Sequence, residues 1–504
     1  MKKMTISNQF TQVTRKISLG LLLAATLTTS CKKDDPEPDP IDPTPTEKTV
    51  KEVSGTLTGD VKFYADTIYL LKGFVRVGAD NGTDISATGK LTIEPGTLIL
   101  GDRETKGTLI IQRGSQIIAE GSVDKPIVFT SERGVGLKQP GDWGGVVLCG
   151  KAKNNIPGGV AQLEGNYGAF HGGNDDEDNS GTLKYVRIEY AGIAINPNEE
   201  VNSLTMGSVG RKTVISHVQA SYGLDDAFEW FGGTVNCTHL IAYRGLDDDL
   251  DVDLGYSGNV QFALAIRDNN LSDQSGSNGF EVDNNGSGSS DQPFTSGKFS
   301  NITIIGPKGD RATPIASNFQ HALHLRRNAK IKIYNSFFTG YPWGMYIDGT
   351  NTEQNAINNE LVMKNNVLAA VENWGGNGFG SAGTLYVNDI VGIDAATGEG
   401  KAHSGNNPKG IPYRVASSST FDLKAWFEAN NTFLAKWQDA GIDGSIFDVV
   451  NPQVLPKAGS ILLAGADFAG LTGFENVAFR GAFGTENWTQ GWAEFNPAAI
   501  QYVK

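Results

Sequence analysis

Cysteine is nearly absent from this 504-residue chain: three occur, Cys31, Cys149 and Cys237. So few thiols exclude a disulfide scaffold, and no Cys or His set has the spacing of a zinc site. Cys149 and Cys237 sit in apolar, strand-like runs (Val146-Val147-Leu148-Cys149 and Val235-Asn236-Cys237), which predicts buried free thiols rather than a disulfide or a catalytic pair. Long apolar runs are also missing. The one near the start, residues 17–25, is too short to span a bilayer as a permanent helix. Positive charge is in deficit, 42 Lys and Arg against 56 Asp and Glu, for a net charge of −14. That removes the cationic footprint nucleic acid requires and makes cations the more natural ligands. Glycine is plentiful, 63 residues, and suits frequent turns between short strands.

The order behind those turns is a repeat. Ser216-His217-Val218-Gln219-Ala220-Ser221-Tyr222-Gly223-Leu224-Asp225-Asp226 recurs 22 residues later as Thr238-His239-Leu240-Ile241-Ala242-Tyr243-Arg244-Gly245-Leu246-Asp247-Asp248. A short fixed period filled with alternating rather than helical segments predicts a β-solenoid. One column of strands starts at Tyr185, His217, His239, Gln261, Asn301, Asn335 and Asn365; a second starts at Phe228, Leu250, Phe280, Leu323 and Met345. Side chains alternate across a strand, so in the second column Phe228, Leu250, Phe280, Leu323 and Met345 should stack inward as one ladder, and Trp230, Val252, Val282, Leu325 and Ile347 as another.

The outward positions of that column carry the chemistry. In Asp247-Asp248-Asp249-Leu250-Asp251-Val252-Asp253, an extended backbone puts Asp247, Asp249, Asp251 and Asp253 on one face. Adjacent coils add Asp225, Asp226 and Glu229 on one side, Glu281 and Asp283 on the other, about 4.8 Å away. Like charges at that spacing need a cation, protonation or wide solvation. Ca²⁺, a hard ion taking six to eight oxygens, is the expected ion, with Asp247, Asp249, Asp251, Asp253, Glu281 and Asp283 as its ligands; a solvated acidic edge is the alternative. Asp176-Glu177-Asp178-Asn179-Ser180-Gly181 matches the opening of a calcium loop, but Arg187 stands at its twelfth position.

Further along the column come His324 and Arg326, then Tyr346 and Asp348. Glu281, Asp283, His324 and Arg326 form a candidate catalytic set, for proton transfer on a calcium-bound uronate or for glycoside hydrolysis. The same ladder also suits a surface that binds without turnover, the reading preferred here. His217 and His239 head their column as structural residues. Trp343 and Trp374 are expected to be exposed and free to stack on sugars.

The N-terminus carries an address. Lys2, Lys3, Arg15 and Lys16 precede the apolar run, and Thr28-Thr29-Ser30 leads to Cys31. This resembles a bacterial lipoprotein signal, departing from it at Thr28, and implies lipidation at Cys31. Lys32-Lys33-Asp34-Asp35-Pro36-Glu37 resembles the surface-export signal of Bacteroidota lipoproteins. Prolines at 36, 38, 40, 43 and 45 make the following segment a stalk. Leu91-Thr92-Ile93-Glu94-Pro95-Gly96-Thr97-Leu98-Ile99-Leu100, echoed 18 residues later from Leu109, and Lys125-Pro126-Ile127-Val128-Phe129-Thr130-Ser131 resemble the early coils of right-handed parallel β-helix proteins of the pectate-lyase-like type. Asp142-Trp143-Gly144-Gly145 and the terminal Arg480 to Trp492 segment resemble Bacteroidota β-helix lipoproteins that carry no established activity.

The expected organisation is a signal peptide over residues 1–30, an acidic Pro-rich tether over 31–52, an all-β right-handed parallel β-helix over 53–420, and a C-terminal helix and cap over 421–504. Insertions are expected at 151–180 and 372–420. Leu423, Trp426, Phe427, Phe433, Leu434 and Trp437 recur at helical spacing and predict the capping helix. The expected function is an outer-membrane lipoprotein at the cell surface that binds a glycan or nutrient with structural calcium, with an outer-membrane transporter as a possible partner. A calcium-dependent polysaccharide lyase or glycoside hydrolase is second, and a structural adhesin third.

Overall fold

Short strands separated by Gly-containing turns can bury their apolar faces only by stacking coil on coil, and the chain does so. The computed structural model describes residues 48–197, 199–310, 313–369, 390–393, 400–402 and 423–502. Twenty-five strands join one sheet, and the pairings between them are parallel. They fall into three ladders, one per side of each coil, which defines a parallel β-helix. Right-handed winding is the hand such crossovers take.

The second ladder matches the sequence reading residue for residue. Leu204, Phe228, Leu250, Phe280, Leu323 and Met345 are in register, as are Met206, Trp230, Val252, Val282, Leu325 and Ile347. All are buried in one continuous core, closed on its other sides by rows such as Ile188, Ala220, Ala242 and Ile304 of the first ladder and Leu183, Ile215, Val260 and Phe299 of the third.

The third ladder bends into the first through one residue per coil held in the left-handed conformation. Tyr185, His217, His239, Phe262, Asn301, Asn335 and Asn365 stack at this corner with φ between 49° and 59°. Asn and His tolerate that region better than most residues, which explains why they recur there. It is Phe262, not Gln261, that follows His239: Leu240 pairs with Ala263, so the expected register of this coil slips by one. The 18-residue echo between Leu91 and Leu109 is likewise not coil on coil. Leu91 pairs with Ile117 on the third ladder while Leu109 lies on the second, so the echo relates two sides of the helix.

The C-terminal region departs from the expected cap. Among the described residues its helix covers Leu423–Glu428; Phe433 and Leu434 belong to a further rung, Thr432–Leu434, and Trp437 starts a 3₁₀ turn. The apolar residues that mimic a helical stripe are split among three elements. From there the chain runs back along the corner as a strap. Asn335 donates to the Asp467 carbonyl at 3.2 Å, Asn301 to that of Phe479 at 2.8 Å, Gln261 to that of Glu475 at 2.8 Å, and Gln219 to that of Glu494 at 2.7 Å. Tyr502 ends the contact on Glu189 at 2.7 Å. Trp492, 1% exposed, packs with Tyr185 and His217. Strap, rung and 3₁₀ turns form a second apolar cluster outside the coil.

Candidate acidic cleft

The outward column of the second ladder changes character along the stack. Ile110 and Val147 are covered by the 151–180 insertion, whose Leu163, Tyr167 and Ala169 pack on them. Beyond it the column reads Thr205, Glu229, Asp251, Glu281, His324, Tyr346, each in register with the next. A cavity of about 560 Å³ opens over Glu229, Asp251 and Glu281 of this column. Among the described residues its lining holds ten carboxylates, Glu164, Glu200, Asp225, Asp226, Glu229, Asp247, Asp248, Asp251, Asp273 and Glu281, against one cation, Arg326.

Three overlapping sets stand out: Asp225, Asp226 and Asp247; Asp226, Glu229 and Asp251; Asp248, Asp251 and Glu281, each with one oxygen per residue within 4.8 Å of the others. Asp226 and Asp251 are shared between sets. Burial, reinforced by neighbouring negative charge, pushes Asp225, Asp226, Glu229, Asp247 and Asp251 well above the usual carboxylate range. Burial and Glu281 move Asp248 to about 7, although the Asn278 N–H it accepts opposes the shift. Asn202, 3% exposed, donates to Glu229. Such a set accepts protons or hard cations, and a dense oxygen cluster is a donor set of the kind Ca²⁺ takes.

The residues expected to hold the ion divide evenly. Asp247, Asp251 and Glu281 are in these sets. Asp249, Asp253 and Asp283 are not. Asp249 is fully buried, its carboxylate meeting Arg267 at 3.1 Å and the Tyr341 hydroxyl at 3.0 Å. Alternation across an extended strand fails there because the strand starts only at Leu250; residues 246–249 turn, and the turn rotates Asp249 inward. Asp283 is held by Arg326 at 2.8 Å and Arg327 at 2.6 Å. Asp253 lies beside Asp283, accepts the Leu254 N–H, and is moved to about 7 by burial and that neighbour. The carboxylates outside that expected ligand set were partly legible: the repeat aligns Asp225-Asp226 with Asp247-Asp248, and both members of each pair face the cleft. Glu164, Glu200 and Asp273 arrive from loops that only the fold brings near.

The catalytic candidates do meet. Arg326 pairs with Glu281 and Asp283, and His324 lies 3.6 Å from both Glu281 and Asp348. Burial opposes charge on His324, but the two carboxylates overcome it and raise the imidazole to about 9. Burial likewise opposes the Glu281 charge, and Arg326 with His324 brings it down to about 2. At neutral pH these are closed ion pairs, so His324 enters as an acid rather than a base.

Other expected sites resolve differently. The carboxylates of the loop at Asp176 take cations of the chain: Asp176 with Lys153 at 2.8 Å, Glu177 with Arg211 at 3.0 Å and Asp178 with Lys151 at 3.1 Å. That leaves no open calcium loop. Trp343 is fully buried rather than exposed, facing the strapped side, and Trp374 lies outside the described residues, as does Cys31. Cys149 and Cys237 are buried free thiols, and burial pushes Cys237 up to about 12. His217 and His239 stack at 4.3 Å with Nδ1 against the Ser216 and Thr238 hydroxyls; burial lowers them to about 4 and about 3, so both are neutral structural residues.

Fold and cleft together define a parallel β-helix with a polar, carboxylate-lined side. Residues 55–409 match the model of the pectate-lyase-like β-helix domain, and the chain belongs to that family. No curated protein and no solved structure matches it.

Proposed function

We propose that this chain is a lipid-anchored, cell-surface β-helix protein of Bacteroidota type that binds an acidic glycan through calcium held in the cleft. The observation that carries the reading is the pair of shared carboxylates, Asp226 and Asp251, which link three acidic sets along one outward column. Ions bound there would neutralise the column and leave coordination positions for uronate oxygens. Calorimetry with calcium and a polygalacturonate oligomer tests it: binding should require the ion and vanish in Asp226→Asn/Asp251→Asn. Ion-independent binding would overturn it. Anchoring rests on Cys31, since one lipidated residue would be the whole attachment. Cys31→Ala should release the protein from the membrane fraction, and retention there would reject the anchor.

Arg326 favours a second reading, a calcium-dependent lyase or hydrolase, because among the described residues it is the one cation lining the cleft. Unsaturated products absorbing in the near ultraviolet, lost in Arg326→Ala, would establish the lyase over the binder.

A further inference from the structure

Across the coil from the acidic ladder, where strap meets corner, lies a second cavity of about 500 Å³. Phe262, Phe479, Trp488 and the edge of His239 wall it, and Glu475 and Glu486 stand at its mouth. Its size falls in the range of small-molecule sites, and its lining is largely apolar, with the rings of Phe262, Phe479 and Trp488 and a few polar groups, as such sites are. Phe262 is the odd member of the corner column. The turn it makes at φ 59° is served in the other described coils by Tyr, His or Asn, all with a polar group, and an apolar ring there carries strain that Asn would relieve. Its ring, 4% exposed, lies 6.0 Å from Phe479 and 4.9 Å from His239. Gly484 lets the strap pass close over the opposite wall: a Cβ there would stand 2.7 Å from the Phe479 ring. Trp488 is fixed by its Nε1–H, donated to the Ala482 carbonyl at 2.8 Å, and by Phe483 stacked at 5.1 Å.

We infer that this cavity binds a neutral sugar ring of an uncharged oligosaccharide. Aromatic walls accept the apolar C–H face of a pyranose, and two carboxylates at the mouth accept its hydroxyls in charge-assisted bonds. Among the described residues neither Glu475 nor Glu486 has an ion-pair partner, so the mouth repels a uronate. His239 is neutral and does not offset that charge. The site is independent of the cleft: its ligand is uncharged and needs no metal.

Calorimetry on the folded chain, with chelator present, against neutral hexasaccharides of glucose, mannose, galactose and xylose tests it. A galacturonate hexamer and a glucosamine hexamer complete the set. At least one neutral sugar should bind, and Glu475→Ala/Glu486→Ala should weaken it tenfold or more with the melting temperature unchanged. Val477→Trp, which fills the cavity from its wall, should abolish binding. Absence of neutral binding, binding only of the charged hexamers, loss of binding with chelator, or indifference to both variants would each overturn the inference. None of these results bears on calcium-dependent binding in the cleft.

Discussion

The two sides of this β-helix solve opposite problems. At the corner, polar and aromatic residues that a bare solenoid would expose are covered by the strap, and Asn301, Asn335, Gln261 and Gln219 donate to strap backbone. At the acidic ladder no described segment closes over Glu229, Asp251 and Glu281, and carboxylates crowd there with few cations to match them. One side gains stability from satisfied groups. The other retains strain that only protons or ions relieve. The cation-seeking chemistry therefore lies across the width of the coil from the strap's stabilising contacts, on a scaffold that those contacts hold rigid.

The comparison breaks most visibly at the strap. Trp492→Ala should cost about 3–5 kcal/mol, the range for removing a buried Trp side chain. Denaturant melts should show that loss with the calcium response intact; a lost calcium response would mean the two sides are coupled. Next comes the ion itself. At a hundredfold excess over its dissociation constant, calcium should stabilise by about 2.7 kcal/mol through binding the native state. Chelation should remove that increment in the parent protein and have no effect in Asp226→Asn/Asp251→Asn. A parent melting curve indifferent to chelator would remove the cleft as an ion site.

Acidity should then act in opposite directions on the two sides. Asp248 has a folded pKa raised to about 7, so the native state holds its proton longer and stability falls as pH rises from about 4 to 7. His239 is lowered to about 3, so its contribution is present at neutral pH and lost as pH falls from about 6.5 toward 3. In chelator, Asp248→Asn should flatten the first slope and His239→Gln the second. Next to Glu281 in the column, His324 contributes stability that is complete below about 6.5 and lost through about 9, which His324→Gln should abolish. Equal slopes in parent and variants would contradict these assignments. The smallest effect is expected at the 151–180 insertion, where Lys153→Ala removes an exposed pair with Asp176. Surface pairs contribute about 0–1 kcal/mol, so the melt should barely move and should not gain calcium dependence.

Period and alternation by themselves determined the coil. A 22-residue repeat with apolar first and third positions leaves one way to bury Phe228, Leu250 and Phe280, and that constraint is local enough to read from the chain. The same pattern marked Glu229, Asp251 and Glu281 as outward. It failed one residue before the strand at Asp249, because alternation holds only where the backbone is extended, and it failed at Phe262, where a left-handed turn shifts the register. Helical spacing misled at Phe433 and Trp437 for a related reason: over a short window apolar periodicity does not distinguish a helix from a rung and a turn that happen to follow one another. Only the tertiary structure decided the rest. Pairing of Gln219 with Glu494, or of Asn301 with Phe479, spans a sequence separation that no periodicity encodes, since the strap is held by backbone groups every residue shares. Glu164, Glu200 and Asp273 reach the cleft for the same reason: their loops carry no repeat, and the packing of the insertion on Ile110 and Val147 puts Glu164 in place.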